Sequence, residues 1–195
     1  MANHATILSD ASVCPESHSG GWSAVLIRPN GRYYSRRVVG GGLKGQVWKD
    51  INSAELAAIA NGLHIAIRQG FVRRGETVEI VTDNAPVLRC MERGLKTKMP
   101  QNPEWERVLV FFRNLVQSER ISLLPRKVKA HTLKQIPDPE DCSWPALNRL
   151  VDTESRRHMR NVRDALLSEM ASMTVSDDRE NVLKGFIELF FPFQV

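Results

Sequence analysis

Residues 52–84 have the sequence NSAELAAIANGLHIAIRQGFVRRGETVEIVTDN, which predicts a helix followed by a strand, each carrying an acidic residue. Apolar residues in its first half recur at three- and four-residue steps, typical of a helix with one apolar face: Leu56, Ile59, Leu63 and Ile67. Gly70 stands where a helix of this length would end. Residues 78–82 are rich in β-branched side chains and predict a strand that ends at Asp83.

The preceding part of the chain predicts three strands. Residues 5–10 form a short, largely apolar strand, and the Ser-, Pro- and Gly-containing stretch 12–21 predicts a loop. Residues 22–27 and 32–39 are β-prone runs joined by Arg28-Pro29-Asn30-Gly31. An Asn-Gly pair between two such runs is a strong hairpin signal.

The following part of the chain alternates between helix and strand. We predict helices over 85–93 and 104–117 and a strand over 121–128. Residues 131–144 have the Pro and acidic content of a loop, and Pro145 suits the first turn of a last helix. Apolar residues along one face predict that this helix runs past residue 160, and residues 181–190 predict another amphipathic helix.

Composition narrows the class of protein. The chain has 195 residues, 42% hydrophobic and 25% charged, as in an ordinary globular domain. Its formal charge of +5 favours a polyanionic partner only weakly. No apolar run approaches the roughly 20 residues of a membrane span, so we expect no membrane insertion or secretion. Cys14, Cys90 and Cys142 are widely spaced, which predicts neither a disulfide framework nor a zinc site, and suits a cytoplasmic protein.

Four acidic residues occupy positions that suggest a shared site. Asp10 ends the first predicted strand, Glu55 lies in the first turn of the helix, Asp83 ends a strand, and Asp152 lies in the last helix. Each also has an ordinary structural explanation. Asn52 and Glu55 resemble a capping box, Asp83 before Asn84 is typical of a turn, and Asp152 suits a solvated helix position. Considered singly, each residue is compatible with both a shared site and an ordinary structural role.

The order βββαβαβ, followed by a helix with an acidic residue, resembles the type 1 ribonuclease H family. The five segments that carry the resemblance follow the family's order: SDAS (9–12), NSAEL (52–56), VTDN (81–84), VKAH (128–131) and NRLVD (148–152). The resemblance covers residues 5–160. It implies an α/β fold with a mixed five-stranded sheet flanked by helices. We therefore predict a catalytic domain over 1–160 and a helical C-terminal extension over 161–195.

The resemblance also implies a site and an activity. The activity is endonucleolytic hydrolysis of the RNA strand of an RNA–DNA hybrid, with His131 handling a proton. The metal ligands would be Asp10, Glu55, Asp83 and Asp152, and the substrate-binding residues Asn52, Asn84 and Asn148. Phosphodiester hydrolysis needs an activated water and stabilised oxygen charges, which two metal ions supply. Hard oxygen ligands suit two Mg²⁺ ions, with Mn²⁺ as the alternative.

Several departures from the family keep other functions open. Ala11 replaces the usual glycine, and the loop before Asp152 is long. Where the family has polar residues that contact phosphate or read 2′-hydroxyls, this chain has Glu16, Asp50 and Ile51. The alternatives are a nuclease of the same fold that acts on DNA or branched nucleic acid, and an inactive nucleic-acid-binding or partner-docking module. The C-terminal extension could serve an oligomer or a protein partner.

Overall fold

The computed structural model describes residues 4–30, 33–43, 48–96, 102–128 and 143–172. Within these ranges the chain forms the following elements: β1 (Ala5–Val13), β2 (Gly20–Asn30), β3 (Tyr33–Leu43), α1 (Ile51–Arg68), β4 (Thr77–Thr82), α2 (Ala85–Glu92), α3 (Pro103–Ser118), β5 (Ser122–Lys127) and α4 (Trp144–Ser172).

The strands form one five-stranded sheet in the order β3-β2-β1-β4-β5. The β1–β2 and β2–β3 pairs are antiparallel, whereas β1–β4 and β4–β5 are parallel. The parallel pairs are connected through helices, as parallel strands require. The predicted mixed five-stranded α/β sheet flanked by helices is thus confirmed.

The two faces of the sheet bury two separate apolar cores. Neighbouring residues of a strand point to opposite faces, so Ile7 packs in the larger core under α1 and α3, and Leu8 in the smaller core under α4. Leu147 and Val151 of α4 complete the smaller core. Asp10 lies two residues after Leu8, and its side chain therefore points to the α4 face.

Helix α4 approaches the sheet very closely at Gly21. A Cβ atom on Gly21 would overlap the backbone nitrogen of Met159 and the carbonyl oxygen of Ser155. One turn further on, a Cβ on Gly42 would overlap the side chain of Val162. The predicted domain division after residue 160 falls inside α4, which continues unbroken to Ser172. Residues 173–195, with the predicted helix over 181–190, lie outside the described residues.

The structure corrects the prediction that Asp10 ends its strand. Strand β1 continues to Val13, and Asp10 pairs with Ser23 in its interior. Because β2 starts at Gly20, the connection between the strands is shorter than predicted. The hairpin of β2 and β3 is confirmed, with Asn30 paired to Tyr33, although Gly31 of its turn lies outside the described residues.

The structure does not support the ordinary explanation of Asn52 and Glu55 as a capping box. Helix α1 starts at Ile51, and Asp50 is its N-cap, accepting from the backbone N–H groups of Asn52 and Ser53. A carboxylate at this position satisfies donors that the helix itself leaves unpaired. Glu55 is therefore free of any capping role.

The structure describes two of the three cysteines. Cys14 and Cys90 are buried thiols, whereas Cys142 lies outside the described residues. Across the described ranges, no helix combines the length and the apolar character needed to cross a membrane.

We expect Gly21→Ala to destabilise the protein by at least about 2 kcal/mol, because the added methyl group meets the α4 backbone, which has no room to yield. Gly41→Ala is the matched control, since a Cβ there lies 3.7 Å from Trp22 Nε1, an ordinary contact. Urea unfolding of both variants measures the difference. Equal stability of the two variants would contradict the close approach of α4.

Candidate metal centre

Three of the four predicted acidic ligands come together. Asp10, Glu55 and Asp83 each offer one carboxylate oxygen, and these three atoms lie within 4.8 Å of one another. The parallel register that pairs Leu8 with Val81 also brings Asp10 next to Asp83, which directly follows the end of β4. Glu55 reaches the same point from the second turn of α1. The structure thus brings three of the predicted ligands together, and their role as metal ligands stays a prediction.

Glu55 is buried and Asp10 and Asp83 are partly buried, and this changes the protonation of the cluster. Glu55 is 5% exposed. Burial raises the pKa of Asp10 to about 6, against the hydrogen bonds from Glu55 and Ser155. Burial also raises the pKa of Glu55 well above its usual value, and the charge of Asp10 adds to the effect. Without a cation, the cluster therefore binds protons that an exposed acid would have lost.

The donor set fits a divalent cation. Glu55 Oε2 is buried, and no described donor reaches it. A buried carboxylate oxygen without a partner is costly, and a cation between the carboxylates would satisfy it and offset their repulsion. Carboxylate oxygens are the ligands that Mg²⁺ and Mn²⁺ prefer.

Asp152 is near this cluster but is not part of it. Its Oδ2 accepts from Arg149 Nη1 at 2.8 Å, and its Oδ1 accepts from Arg156 Nε at 2.8 Å. The negative charge of Asp152 contributes to the raised pKa of Asp10, which places it close to the three-carboxylate cluster. Arg149 and Arg156 are a feature that the sequence analysis missed, although both stand at helical spacing from Asp152.

Ser155 is a second residue that the sequence analysis missed. Its hydroxyl oxygen lies 2.9 Å from Asp10 Oδ2 and 3.0 Å from the Asp152 carbonyl oxygen. The hydroxyl has one proton and donates to one of these two acceptors at a time. The side chain is fully buried. A signal was present, because Ser155 follows Asp152 by three residues on the same helix face. Ser155 connects α4 directly to the carboxylate of β1.

The three asparagines predicted to bind substrate lie around the cluster. Asn148 Nδ2 donates to Asp83 Oδ2 at 3.4 Å. Asn84 caps α2 through its Oδ1, and its Nδ2 donates to Asn52 Oδ1 at 3.0 Å. Asn52 Nδ2 in turn donates to Asp50 Oδ1 at 3.2 Å. Among the described residues, one proton of the Asn52 amide has no acceptor.

Asp50 fills the N-terminus of α1 with a carboxylate of this chain. It accepts from the hydroxyl of Ser53 at 2.6 Å and from Asn102 Nδ2 at 2.9 Å, besides the two helix N–H groups. Burial opposes ionisation, but these hydrogen bonds lower the pKa of Asp50 below its usual value. The end of the helix that attracts anions is therefore already occupied by a negative charge.

His131, the predicted proton-handling residue, lies outside the described residues, as do most of the VKAH segment and the acidic loop after it. Its position relative to the cluster stays a prediction.

Solved structures resemble this chain closely enough in overall structure to define its fold. LC9-RNase H1, a type 1 RNase H with the type 2 active-site motif, superposes with a TM-score of 0.61 at 15% identity, covering 83% of this chain and 74% of that one. An N-terminal RNase H domain from Mycobacterium tuberculosis, fused to maltose-binding protein, gives 0.55 at 17% identity, covering 85% and 99%. The chain has the ribonuclease H fold.

A third ribonuclease H, LC11-RNase H1 in complex with an RNA/DNA hybrid, gives a TM-score of 0.55 at 14% identity, covering 81% of this chain and 98% of that one. No protein-family model and no curated protein matches the sequence. At these identities the likeness carries the ribonuclease H fold, and the residues of this chain must carry any argument about chemistry.

We expect Asp10→Asn to stabilise the metal-free protein at neutral pH by on the order of 1–3 kcal/mol, because it removes a charge that burial disfavours. The folded pKa of Asp10 is raised from 3.8 to about 6. Its contribution to stability is therefore complete below about pH 4 and is lost as the pH rises through 6. The advantage of the variant should grow over that interval in urea unfolding with a chelator present.

Glu92→Gln, an exposed acid on α2, is the control and should show no such growth. Saturating Mg²⁺ should reverse the order by stabilising the parent protein and not Asp10→Asn. A constant difference between the parent and Asp10→Asn from pH 4 to 8 would contradict the buried cluster.

Proposed function

We propose that this chain is a metal-dependent endonuclease that hydrolyses the RNA strand of RNA–DNA hybrids. The observation that carries the proposal is the cluster of Asp10, Glu55 and Asp83, whose oxygens lie within 4.8 Å of one another, with Glu55 buried and the two aspartates partly buried. Holding three like charges this close together, one of them buried, costs stability unless a cation is bound, so the cluster argues against an inactive module.

The ions would be Mg²⁺ or Mn²⁺, two per site, held by Asp10, Glu55 and Asp83, with Asp152 as the fourth ligand. When bound, they would lower the pKa of a water molecule and stabilise charge on the attacking and leaving oxygens. The chain's own residues have other tasks. Ser155 orients the Asp10 carboxylate by hydrogen bonding, and Asn148 does so for Asp83. The two carboxylates therefore need little rearrangement on metal binding.

Recognition of the RNA strand is proposed for Asn52. Asn84 donates a hydrogen bond to the Asn52 carbonyl oxygen, and the Asn52 amide donates one of its two protons to Asp50. The other amide proton would donate to a 2′-hydroxyl, the group that distinguishes RNA from DNA. LC11-RNase H1, which has the same fold and was solved in complex with an RNA/DNA hybrid, supports this substrate class. His131 is proposed to handle the proton as the product leaves.

One observation favours the second candidate, a nuclease of this fold that acts on DNA or branched nucleic acid. Asp50 places a charged carboxylate at the N-terminus of α1, and Glu16 is a second acid at a family substrate position. A phosphate would be repelled at Asp50. We therefore expect weaker hybrid binding, with a shallower dependence on salt, than a ribonuclease H with a phosphate contact at this position has.

The deciding experiment uses the full chain with Mg²⁺ and Mn²⁺ in turn and four end-labelled substrates: hybrid, double-stranded RNA, duplex DNA and a four-way junction. We expect cleavage of the RNA strand of the hybrid and little cutting of duplex DNA. Asp10→Asn, which should lose at least about 10³-fold in turnover, is the control for a contaminating nuclease. Junction or duplex DNA cut as fast as the hybrid would favour the second candidate, and no cleavage of any substrate would refute both.

A second prediction concerns His131. We expect His131→Ala to slow turnover by about 10–100-fold without abolishing it, because proton transfer assists a reaction that the ions already promote. Single-turnover cleavage of the hybrid across pH 6–9 measures the effect. A loss as complete as that of Asp10→Asn would instead assign His131 to metal binding or to folding.

A further inference from the structure

The Asp152 carboxylate differs from those of Asp10, Glu55 and Asp83 because it is paired with two arginine side chains. Both of its oxygens accept from arginine, Arg149 on one side and Arg156 on the other, each at 2.8 Å. In contrast, the donors to the other carboxylates are neutral: Ser155 for Asp10 and Asn148 for Asp83. A divalent ion that approaches Asp152 therefore meets a group with two positive partners.

This difference in local charge would favour one order of metal binding. The group of Asp10, Glu55 and Asp83 attracts a cation with up to three negative charges, whereas Asp152 with its arginines carries a net charge of +1. At separations of a few ångströms, a difference of this size outweighs small differences in ligand geometry. The first ion would consequently bind to the three-carboxylate group.

The arginines are placed so that they can be released. The side chain of Arg156 is 51% exposed, and partly exposed ion pairs of this kind contribute about 1 kcal/mol or less. Arg149 is 31% exposed, and its Nε is buried without a hydrogen-bond partner. An unpaired buried donor costs free energy, so the Arg149 arrangement is held less firmly than its 2.8 Å contact alone implies.

We propose that Arg149 and Arg156 compete with the second divalent ion for Asp152, so that the metal centre fills in two unequal steps. This inference rests on the proposed function, because it takes the carboxylates as metal ligands. The arginines act as positioning residues: they hold Asp152 in the metal-free protein and must release it before it can bind an ion.

Calorimetric titration of the full chain with Mn²⁺, without nucleic acid, tests the proposal. The parent protein should bind one ion and then a second at least about tenfold more weakly. In Arg149→Gln/Arg156→Gln the second step should strengthen by about tenfold, with a smaller change in the first. Arg157→Gln is the control for Arg156→Gln alone, since it also removes one positive charge from α4, at a residue that pairs with Glu154.

A general loss of positive charge could also strengthen Mn²⁺ binding, and a further variant separates the two causes. Adding Asp152→Asn to the double variant should remove the second step and leave the first. If the second step stays strong there, or if the double variant binds Mn²⁺ as the parent protein does, the competition is refuted. Arg156→Gln alone, at the more exposed arginine, serves if the double variant fails to fold, and an unchanged second step in it would refute the proposal equally.

Failure of the proposed function has a separate signature. Asp10→Asn should abolish the first Mn²⁺ step in either background. If it leaves both steps unchanged, the three-carboxylate group is not the metal site, and the proposed function fails together with this inference. If the first step is lost in Asp10→Asn and the arginine variants change nothing, the proposed function stands and only the competition is refuted.

Discussion

The main physical constraint on this structure is the mutual repulsion of Asp10, Glu55 and Asp83, whose carboxylate oxygens lie within 4.8 Å of one another. Such an arrangement opposes folding, because each carboxylate loses hydration and repels the others. The apolar cores on the two faces of the sheet offset this cost, since they bury the neighbours Ile7 and Leu8 almost completely. The site is thus held by strands whose own packing does not depend on the acids. This separation lets a cluster that is unfavourable by itself persist in the folded protein.

The close contact between α4 and β2 determines the α4 side of the site. Because Gly21 has no side chain, the helix backbone at Ser155 rests on the strand, and the Ser155 hydroxyl then reaches Asp10. Asp152 lies one turn earlier on the same helix, so its distance from the cluster follows from the same contact. A glycine in a strand interior usually weakens the strand. Here that cost is offset by the precise placement of a helix that carries several polar groups.

The sequence predicted most elements because hydrophobic periodicity is a local property, as the α1 and β4 segments show. It failed where a distant partner decides the structure. Ser12 and Val13 follow an aspartate and resemble a loop, yet β2 pairs with them and extends β1. Asp10, Glu55 and Asp83 were predictable from motif order, but their separation was not, since it depends on the parallel register of two strands far apart in sequence. The arginines on Asp152 were also beyond reach, because helical spacing gives proximity and not the direction of a long side chain.

Under the proposed function, the charges around the site would connect metal binding to substrate binding. Asp50 fills the N-terminus of α1 with a negative charge, so positive groups elsewhere would have to contact the phosphates. Arg149 and Arg156 lie beside the metal centre but are engaged by Asp152 in the metal-free state. An ion that takes Asp152 would free two guanidinium groups, which bind phosphate oxygens well. Conversely, a phosphate that binds the two arginines in place of Asp152 would leave the Asp152 carboxylate available to the ion. Under the proposed competition, the second ion and the nucleic acid must therefore favour each other's binding, since each weakens the interaction that opposes the other.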